Sequence, residues 1–337
     1  MMPQKIILFI SFILVFRSQE VFCQDFKNQE IKFLVDSTIT IMRKNSVNSN
    51  KVDWTLLRKN VMLKAANLSS PYQLGDVIRY LFRSLDDFHG AFFYRDSVFK
   101  YNRKESPISD SIKNEWNKRS GIKTGILKDN IGYLRIPSMP GGSKSTFDSL
   151  AQNLNDSLCS LLTQHIKGII VDLRINGGGA MYPMILGLEQ LLQREAVGSF
   201  LMKTESKWFL KDHNFYIDTT KLASIAPKCW TATARLPMVM LTSPATGSSG
   251  EFLIIAFKGR PNTIIIGNST AGYVTANQGF KINDEAFLNL SVGYGKDRNG
   301  KTYFKAIRPD ISISSPDKFN DLENDRKILA AAKWLTK

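Results

Sequence analysis

The sequence predicts an α/β protein: a core of βαβ units with a parallel-rich sheet, preceded by a small helical N-terminal region. Three observations lead to this prediction. From residue 131 onward, apolar strand-like runs alternate with amphipathic helical patterns. Between residues 30 and 87, apolar residues recur at helical spacing. Two of the strand-like runs end in turns rich in glycine or serine that precede helices. Strands separated by helices favour parallel pairing.

The N-terminal part reads as helices interrupted by polar breaks. Between residues 30 and 87 the apolar residues keep a helical period, with breaks at residues 45–50 and 69–71. A polar, charged stretch follows from residue 94. The expected organisation is therefore a signal peptide over 1–23, a helical subdomain over 24–93, a linker over 94–130 and an α/β core over 131–337.

Within the core, short apolar runs predict strands and longer apolar stripes predict helices. The segment 280–304 is β-like, and Asn299-Gly300 is typical of a hairpin turn. With 337 residues, of which 43% are hydrophobic, the chain can bury a large core as one large or two modest domains. The predicted strands are 131–136, 168–173, 237–241 and 263–266, and the predicted helices are 147–162, 184–192, one from about 250, and 321–335.

The N-terminus predicts export. Lys5 precedes an apolar run over 6–16, which is too short to span a bilayer and is typical of a secretory signal peptide. Cleavage is expected near Cys23/Gln24. A lipoprotein is the competing interpretation, because a cysteine closes the signal. The preceding Glu20-Val21-Phe22 lacks the small residues of a lipidation site, which favours export of a soluble protein to the periplasm or the extracellular space.

Charge and cysteines narrow the function classes. The net charge is +15, but the basic residues are scattered and no nucleic-acid motif is present. A generally basic surface that meets acidic peptides or a negatively charged envelope is expected, without nucleic-acid binding.

Of the mature chain's cysteines, Cys159 and Cys229 either form one disulfide or stay as two separate buried thiols, and the second interpretation is favoured.

A glycine-rich turn follows the predicted strand 168–173. Asp172-Leu173-Arg174-Ile175-Asn176 leads into Gly177, Gly178 and Gly179 ahead of a helix, and such a turn exposes backbone N–H groups. It is either a tight structural connection, a phosphate cradle or an oxyanion hole. The phosphate interpretation is disfavoured, because the segment has neither a P-loop ending nor the spacing of a dinucleotide fingerprint.

A serine-rich turn follows the predicted strand 237–241. Ser248 and Ser249 stand in Thr246-Gly247-Ser248-Ser249-Gly250-Glu251, immediately before an apolar helix. The positive potential of a helix N-terminus favours a developing alkoxide or oxyanion. The alternative is a plain N-cap in which Glu251 completes a capping box.

The general base for a nucleophilic serine must be one of only three histidines or a lysine. His165 lies before a core strand and His213 in a polar segment, positions typical of structural or exposed residues. His89 lies in the turn Asp86-Asp87-Phe88-His89, between predicted elements, where site residues gather. A structural turn residue is the alternative role for His89.

Taken together and in order, these segments resemble the C-terminal processing peptidases. The resembling blocks are Asp-Leu-Arg-x-Asn-Gly-Gly-Gly at 172–179, Thr-Gly-Ser-Ser-Gly-Glu at 246–251, Gly-Asn-Ser-Thr-Ala-Gly at 267–272 and Arg-Pro-Asp-Ile at 308–311. The resemblance runs from about residue 131 to the C-terminus. The block at 86–89 is similar to that of the tricorn-like and nisin-resistance branches. The resemblance as a whole implies a ClpP/crotonase-like core and Ser248 as the nucleophile.

The chain departs from the family's pattern in two places. Members with a Ser/Lys dyad carry lysine where this chain has Tyr273. The resemblance therefore implies His89 as the base, as in the histidine-using branch. The stretch between residues 94 and 130 is also too short for the PDZ domain of many relatives.

The predicted activity is that of a serine endopeptidase acting through an acyl-enzyme, with no cofactor and no metal. Gly177, Gly178, Gly179 and Ser249 are the expected oxyanion donors. Glu251 is expected to orient the base or to support the serine's helix. The substrate would be an unstructured peptide or protein tail, laid as an added strand along a sheet edge. The alternatives are an inactive member that binds peptides or apolar ligands, as in the family's retinoid-binding repeats, and a weaker anion-binding interpretation.

Overall fold

A computed structural model describes residues 26–103, 106–192, 196–231, 233 and 235–337. The predicted signal peptide and its cleavage position lie outside the described residues. The described helices are α1 Gln29–Asn45, α2 Trp54–Ala65, α3 Gly75–Ser84, α4 Asp110–Asn117, α5 Lys144–Leu162, α6 Met181–Gly187, α7 Glu189–Leu192, α8 Ser249–Phe257 and α9 Arg326–Leu335. The described strands are β1 Ala91–Tyr94, β2 Ser97–Phe99, β3 Lys123–Leu127, β4 Ile131–Arg135, β5 Gly168–Asp172, β6 Ala196–Leu201, β7 Glu205–Lys211, β8 Asn214–Ile217, β9 Thr220–Ser224, β10 Met238–Thr242, β11 Thr263–Gly267, β12 Thr275–Lys281, β13 Ala286–Asp297 and β14 Ile311–Ser312.

One sheet has six strands in the order β14-β11-β10-β5-β4-β3. Its neighbours pair in parallel except for β3 and β4, which are antiparallel. The strands β4, β5 and β10 are buried along their whole length, as expected for a sheet covered on both faces by helices. Helices α5, α6 and α8 supply one cover and α9 the other. The predicted fold class, a parallel-rich α/β core after a helical region, is confirmed.

The second sheet has eight strands and is antiparallel throughout. Seven follow the order β2-β1-β13-β6-β7-β8-β9. The eighth, β12, pairs with the edge of β13 that is opposite to β1. Of this sheet, the sequence predicts only the β12–β13 region, as the β-like segment 280–304. The strands β6 to β9 were missed, although the pattern of β7 alternates between exposed and buried residues as a half-buried strand should.

The N-terminal helices pack on this second sheet. A hydrophobic cluster of its own joins α1, α2 and α3 to β1 and β13, with Phe82, Phe92 and Leu288 completely buried. Local signals start these helices: Asn28 caps α1 by accepting from two backbone amides, and Asp53 does the same for α2. The packing of these helices on the sheet holds the segment after α3 against β13.

The expected linker over 94–130 requires correction, because it contains regular elements that belong to the rest of the fold. Strand β3 pairs with β4, so the six-stranded sheet begins at Lys123 rather than at residue 131. Helix α4 is docked by buried Glu115, whose carboxylate lies 2.7 Å from the guanidinium of buried Arg135. Trp116 packs on Gly177, where an added Cβ would lie 2.2 Å from the indole ring.

The cysteine interpretation also requires correction. Cys159 and Cys229 form a disulfide, with their Cα atoms 5.8 Å apart, and do not remain two separate thiols. The bond ties α5 to the segment before β10. Among the helices that the structure describes, none combines the length and the apolar character needed to cross a membrane.

Candidate active site

Ser248 stands at the sharp turn between β10 and α8. Its backbone has φ 51° and ψ −120°, in the region that residues with a side chain rarely adopt. Such strain persists only where surrounding contacts enforce it, and it concentrates at functional sites. A serine in a sharp turn after a buried strand points away from the sheet, as in the nucleophile elbow of α/β-hydrolases.

Hydrogen bonds to the neighbouring strand connection enforce this turn. The hydroxyl of Ser243 donates to the carbonyl of Arg174 at 2.6 Å, and that of Thr246 donates to the carbonyl of Leu173 at 2.8 Å. The amide of Gly247 donates to the carbonyl of Asn176 at 3.0 Å. The two turns singled out in the sequence therefore lie side by side at the ends of adjacent parallel strands, β5 and β10.

Glu251 lies behind the serine turn and is completely buried. Its carboxylate accepts the amide of Ser248 at 3.0 Å, the amide of Gly272 at 2.8 Å and the hydroxyl of Thr270. Burial raises the pKa of Glu251 to about 7, although these hydrogen bonds act in the opposite direction. Its contacts favour support of the serine turn, and within the described residues none joins it to His89. The expected role of orienting the base is not supported.

The glycine turn contacts the serine turn directly. Gly178 has φ +110°, and a Cβ added there would lie 2.7 Å from the Cβ of Ser248 and 2.9 Å from the amide nitrogen of Ser249. Gly179 has φ +102°, and an added Cβ would lie 1.7 Å from the carbonyl oxygen of Met139. Glycine is required at both positions because of the backbone angle and because of the space.

Two of the expected oxyanion donors already have partners. The amide of Gly177 donates to the hydroxyl of Ser138 at 2.9 Å, and the amide of Gly178 donates to the side chain of Asn176 at 3.0 Å. The expectation for these two glycines is therefore corrected. Gly179 and Ser249 line the same cavity, and the hydroxyl of Ser249 donates to the carbonyl of Gly179 at 2.7 Å. Their two amides stay the candidates for an oxyanion hole.

His89 lies half-buried between α3 and β1, and its backbone is held on both sides. The carboxylate of Asp87 accepts the amides of His89 at 3.1 Å and Gly90 at 2.8 Å. The carbonyl of His89 accepts the side-chain amide of Asn277 at 3.0 Å. Burial lowers the pKa of His89 to about 4, so the imidazole is neutral at pH 7 and has a lone pair to accept a proton.

The ring of His89 is placed by two residues from β12 and the segment before it. Its Nδ1 lies 2.8 Å from the hydroxyl oxygen of Thr275. The ring of Tyr273, at the position where dyad relatives carry lysine, lies 4.9 Å from the imidazole, centroid to centroid. The guanidinium of Arg103 stacks 3.6 Å from the centroid of the neighbouring Phe88 ring.

Ser248 and His89 line one cavity of about 430 Å³. No hydrogen bond joins them directly in the part of the chain that the structure describes. The described lining contains no lysine, and neither His165 nor His213 belongs to it. Aromatic and apolar side chains form much of its wall: Phe147, Met181, Tyr182, Phe200, Phe252 and Ala276.

Sequence reasoning missed the residues behind the histidine. Thr275 contacts Ser291, and Ser291 contacts Asp87, at hydrogen-bond distances of 3.0 and 2.8 Å. Asp87 appeared in the sequence only as part of the histidine block. Thr275 on β12 and Ser291 on β13 belong to no sequence motif. Both lie far from His89 in the sequence, so their proximity to it could not be predicted.

Several known proteins are similar to this chain in sequence. The model of peptidase family S41 matches residues 130–313. The nisin-resistance protein of Lactococcus lactis subsp. lactis is 31% identical over 194 residues, which cover 56% of this chain and 58% of the relative. The carboxy-terminal processing protease CtpA of Bacillus subtilis (strain 168) is 26% identical over 211 residues, which cover 62% of this chain and 41% of the relative. The chain thus spans about two fifths to three fifths of the length of these curated relatives.

Solved structures show the same fold over most of the chain. The structure of a lipoprotein from Streptococcus agalactiae has a TM-score of 0.67 at 21% identity and covers 91% of this chain and 96% of its own. The photosystem II D1 C-terminal processing protease has a TM-score of 0.52 at 14% identity and covers 85% and 94%. At these identities the likeness shows the fold alone.

Proposed function

We propose that this chain, which belongs to peptidase family S41, is an exported serine endopeptidase that cleaves peptides or protein tails through an acyl-enzyme on Ser248. The observation that carries the proposal is that Ser248, His89, Gly179 and Ser249 line one cavity. Nucleophile, base and oxyanion donors are the three groups that acyl transfer requires.

In the proposed acylation, Nε2 of His89 takes the proton of Ser248 while the serine oxygen attacks the peptide carbonyl. The Nδ1 side of the ring already contacts Thr275, which leaves Nε2 for the serine. Closure of the cavity around a substrate would bring the two side chains to about 2.6–3.2 Å, since catalytic hydrogen bonds often tighten only in the complex.

The developing oxyanion would be held by the amides of Gly179 and Ser249. Ser249 is the first residue of α8, so its amide also carries the positive end of the helix dipole. One donor of this kind is worth about 10²–10³ in kcat. The protonated His89 then gives its proton to the leaving amine, and a water molecule activated by the same histidine releases the acyl group.

The cavity suggests how a substrate binds. Strand β12 pairs with β13 on one edge, and its other edge has no partner among the described strands. Residues 275–277 of this strand line the cavity, so an extended peptide laid along β12 would pass the serine. The aromatic wall around Phe200 and Phe252 would accept an apolar side chain next to the scissile bond. Such a substrate must be unfolded locally.

Export is supported by the disulfide between Cys159 and Cys229, because such bonds persist in oxidising compartments. It is also supported by the signal-like N-terminus. N-terminal sequencing of the secreted protein should find a start near Gln24, and a chain that retains Met1 would contradict this part of the proposal.

A binding protein without catalysis is the second candidate, and the specific observation in its favour is Tyr273 at the dyad lysine position. Its ring packs on His89, so the position is filled by an aromatic residue rather than by a base. A fluorophosphonate distinguishes the candidates, because only an activated serine reacts with it.

The peptidase proposal is tested by incubating a peptide library with wild type and with Ser248→Ala, followed by mass spectrometry. We expect cleavage products with wild type and a loss of about 10³-fold or more with the variant. Ser160→Ala is the matched control, because it removes an exposed hydroxyl on α5 that bonds only within its helix. Equal cleavage by wild type and Ser248→Ala would overturn the proposal.

A further inference from the structure

Asp87 contacts the backbone amide of His89 directly, and it reaches the imidazole ring of His89 through two hydroxyl groups. The path runs from Nδ1 of His89 to Oγ1 of Thr275 at 2.8 Å, on to Oγ of Ser291 at 3.0 Å, and then to Oδ1 of Asp87 at 2.8 Å. Asp87 and Ser291 are buried, with 3% and 2% of their surfaces exposed. The Asp87–Ser291 end of the path is therefore shielded from competing water, whereas His89 and Thr275 line the cavity.

The carboxylate end fixes the direction of every hydrogen bond in this path. Burial raises the pKa of Asp87, whereas the hydrogen bonds from Ser291, Gly90 and His89 favour its ionised form. An ionised carboxylate only accepts, so Ser291 donates its single hydroxyl proton to Asp87. The hydroxyl of Thr275 must then donate to the oxygen of Ser291, and its own oxygen is left to accept from His89. His89 therefore carries its proton on Nδ1 and presents the lone pair of Nε2.

Further contacts of Asp87 agree with an acceptor-only carboxylate. It accepts three backbone amides, those of His89, Gly90 and Ser291. Asn277 offers the hydroxyl of Ser291 a second acceptor at 3.1 Å, but the shorter bond to a charged oxygen is the stronger one.

We propose that Asp87, Ser291 and Thr275 are positioning residues that hold His89 in the Nδ1-protonated tautomer and stabilise the imidazolium formed during acylation. This inference rests on the proposed role of His89 as the base of Ser248. The three residues take the place that a directly bonded carboxylate has in a Ser-His-Asp triad.

The fold supplies this alignment through an irregularity between β12 and β13. Asn277 pairs with Ser291, whereas Ala276 pairs with Gly293, so β13 has one extra residue at this point. Bulges of this type re-aim side chains and occur next to active sites. Here the bulge accompanies the contact between the hydroxyls of Thr275 and Ser291.

The proton balance of the step leaves the path unchanged. The proton of Ser248 moves to Nε2 as the bond from the serine oxygen to the carbonyl carbon forms, and it later passes to the leaving amine. The protons on Nδ1, Thr275 and Ser291 stay where they are. Asp87 contributes through its negative charge and the aligned hydroxyl dipoles, and it gains no proton.

Thr275→Val is the most selective test, because valine keeps the β-branched shape and replaces the hydroxyl with a methyl group. A directly bonded triad aspartate is worth about 10⁴ in kcat, so we expect a smaller loss, about 10–100-fold, at nearly unchanged KM. Thr275→Ser restores the hydroxyl and should stay within about threefold of wild type. Ser291→Ala and Asp87→Asn should also lower kcat.

Ser199→Ala is the matched control. Ser199 is a buried serine of the same sheet, on β6 next to β13, and its hydroxyl donates to the carboxylate of Glu205 at 2.6 Å. It has the same chemistry as Ser291 outside the proposed path. We expect its kcat to stay at the wild-type value, with thermal melting used to compare the stability of all variants.

Nitrogen-15 NMR of His89 in the Ser248→Ala background separates this inference from the peptidase proposal, because it reads the tautomer without turnover. We expect protonated Nδ1 in that background and a shift of the population toward protonated Nε2 when Thr275→Val is added. Loss of activity together with this shift supports the inference. An unchanged tautomer, or wild-type kcat in Thr275→Val, overturns it. If wild type cleaves nothing, the peptidase proposal fails and the tautomer measurement alone decides whether the path exists.

Discussion

The two halves of the candidate site are positioned by different means. On the nucleophile side, backbone conformation dominates: Ser248, Gly178 and Gly179 all have positive φ and lie at the ends of neighbouring parallel strands. On the base side, side chains dominate, because His89 is placed by Thr275 and by ring packing with Tyr273. The first half tolerates almost no added atom, whereas the second depends on individual hydroxyl and carboxyl groups.

The two halves of the site also differ in the buried polar groups that stabilise the fold around them. Arg174, beneath the nucleophile side, is completely buried and paired with Asp172, Asp317 and Asp325 at 2.6 to 2.8 Å. This network joins the end of β5 to the start of α9. The polar groups behind His89 are fewer and have no cation among their described partners.

The largest expected effect is on folding, from Arg174→Met. Removing the guanidinium takes the ion-pair partner from the completely buried Asp172 and Asp325, while Asp317 keeps its pair with Lys327 at 2.6 Å, so the free energy of unfolding should fall by about 3–5 kcal/mol. Urea denaturation measures it. Lys228→Ala breaks an exposed pair with Asp156 and serves as the control, with a change under about 1 kcal/mol. Equal losses in both variants would contradict a special role for this network.

The next effect is on activity, from Gly178→Ala. The new methyl would lie 2.9 Å from the amide nitrogen of Ser249, a proposed oxyanion donor, at a φ that alanine rarely adopts. We expect kcat to fall by about 10² or more, the value of one such donor. Gly125→Ala on β3 is the control, because an added Cβ there meets nothing within 4 Å. Wild-type kcat in Gly178→Ala would remove the glycine turn from the mechanism.

The smallest effect is a pair of opposite pH dependences of stability. The pKa of Glu251 is raised to about 7, so between about pH 4.5 and 7 the folded state binds more protons there and stability falls as pH rises. The pKa of His89 is lowered to about 4, so between about pH 4 and 6.5 the unfolded state binds more protons and stability rises with pH.

Single variants expose these two contributions. Glu251→Gln should make the stability rise more steeply with pH between 4.5 and 6.5, and His89→Gln should make it rise less or fall. Each contribution is at most about 1.4 kcal/mol per pH unit. Urea midpoints at several pH values measure both slopes. Parallel curves for wild type and either variant would show that the corresponding pKa is not shifted as described.

The same difference explains what could be predicted from sequence. The nucleophile side could be predicted because each buried strand and the turn after it are contiguous in the sequence, at 168–179 and 238–251. The fold class followed for the same reason. The base side combines Asp87 with Ser291, 204 residues apart, and no local period encodes that contact.

Other errors share this cause. Helix α4 has eight residues, most of them polar, so its sequence resembles a loop. Its position depends on the buried contact of Glu115 with Arg135, which only the folded chain provides. The disulfide between Cys159 and Cys229 joins residues 70 apart, and pairing cannot be read from spacing. Of the two roles predicted for Glu251, its contacts favour support of the serine's helix, because a capping residue three positions after Ser248 reaches the serine's own amide.

The measurement that tests the central claim most directly is the rate of fluorophosphonate labelling of Ser248 as a function of pH, in wild type and in His89→Ala. With His89 as the base, wild type should label at neutral pH and lose reactivity in acid near pH 4, where the buried imidazole becomes protonated. His89→Ala should label at least about 10³-fold more slowly with its thermal melting intact. Wild-type labelling in His89→Ala, or a rate that rises only as a lysine loses its proton near pH 10, would contradict the histidine assignment.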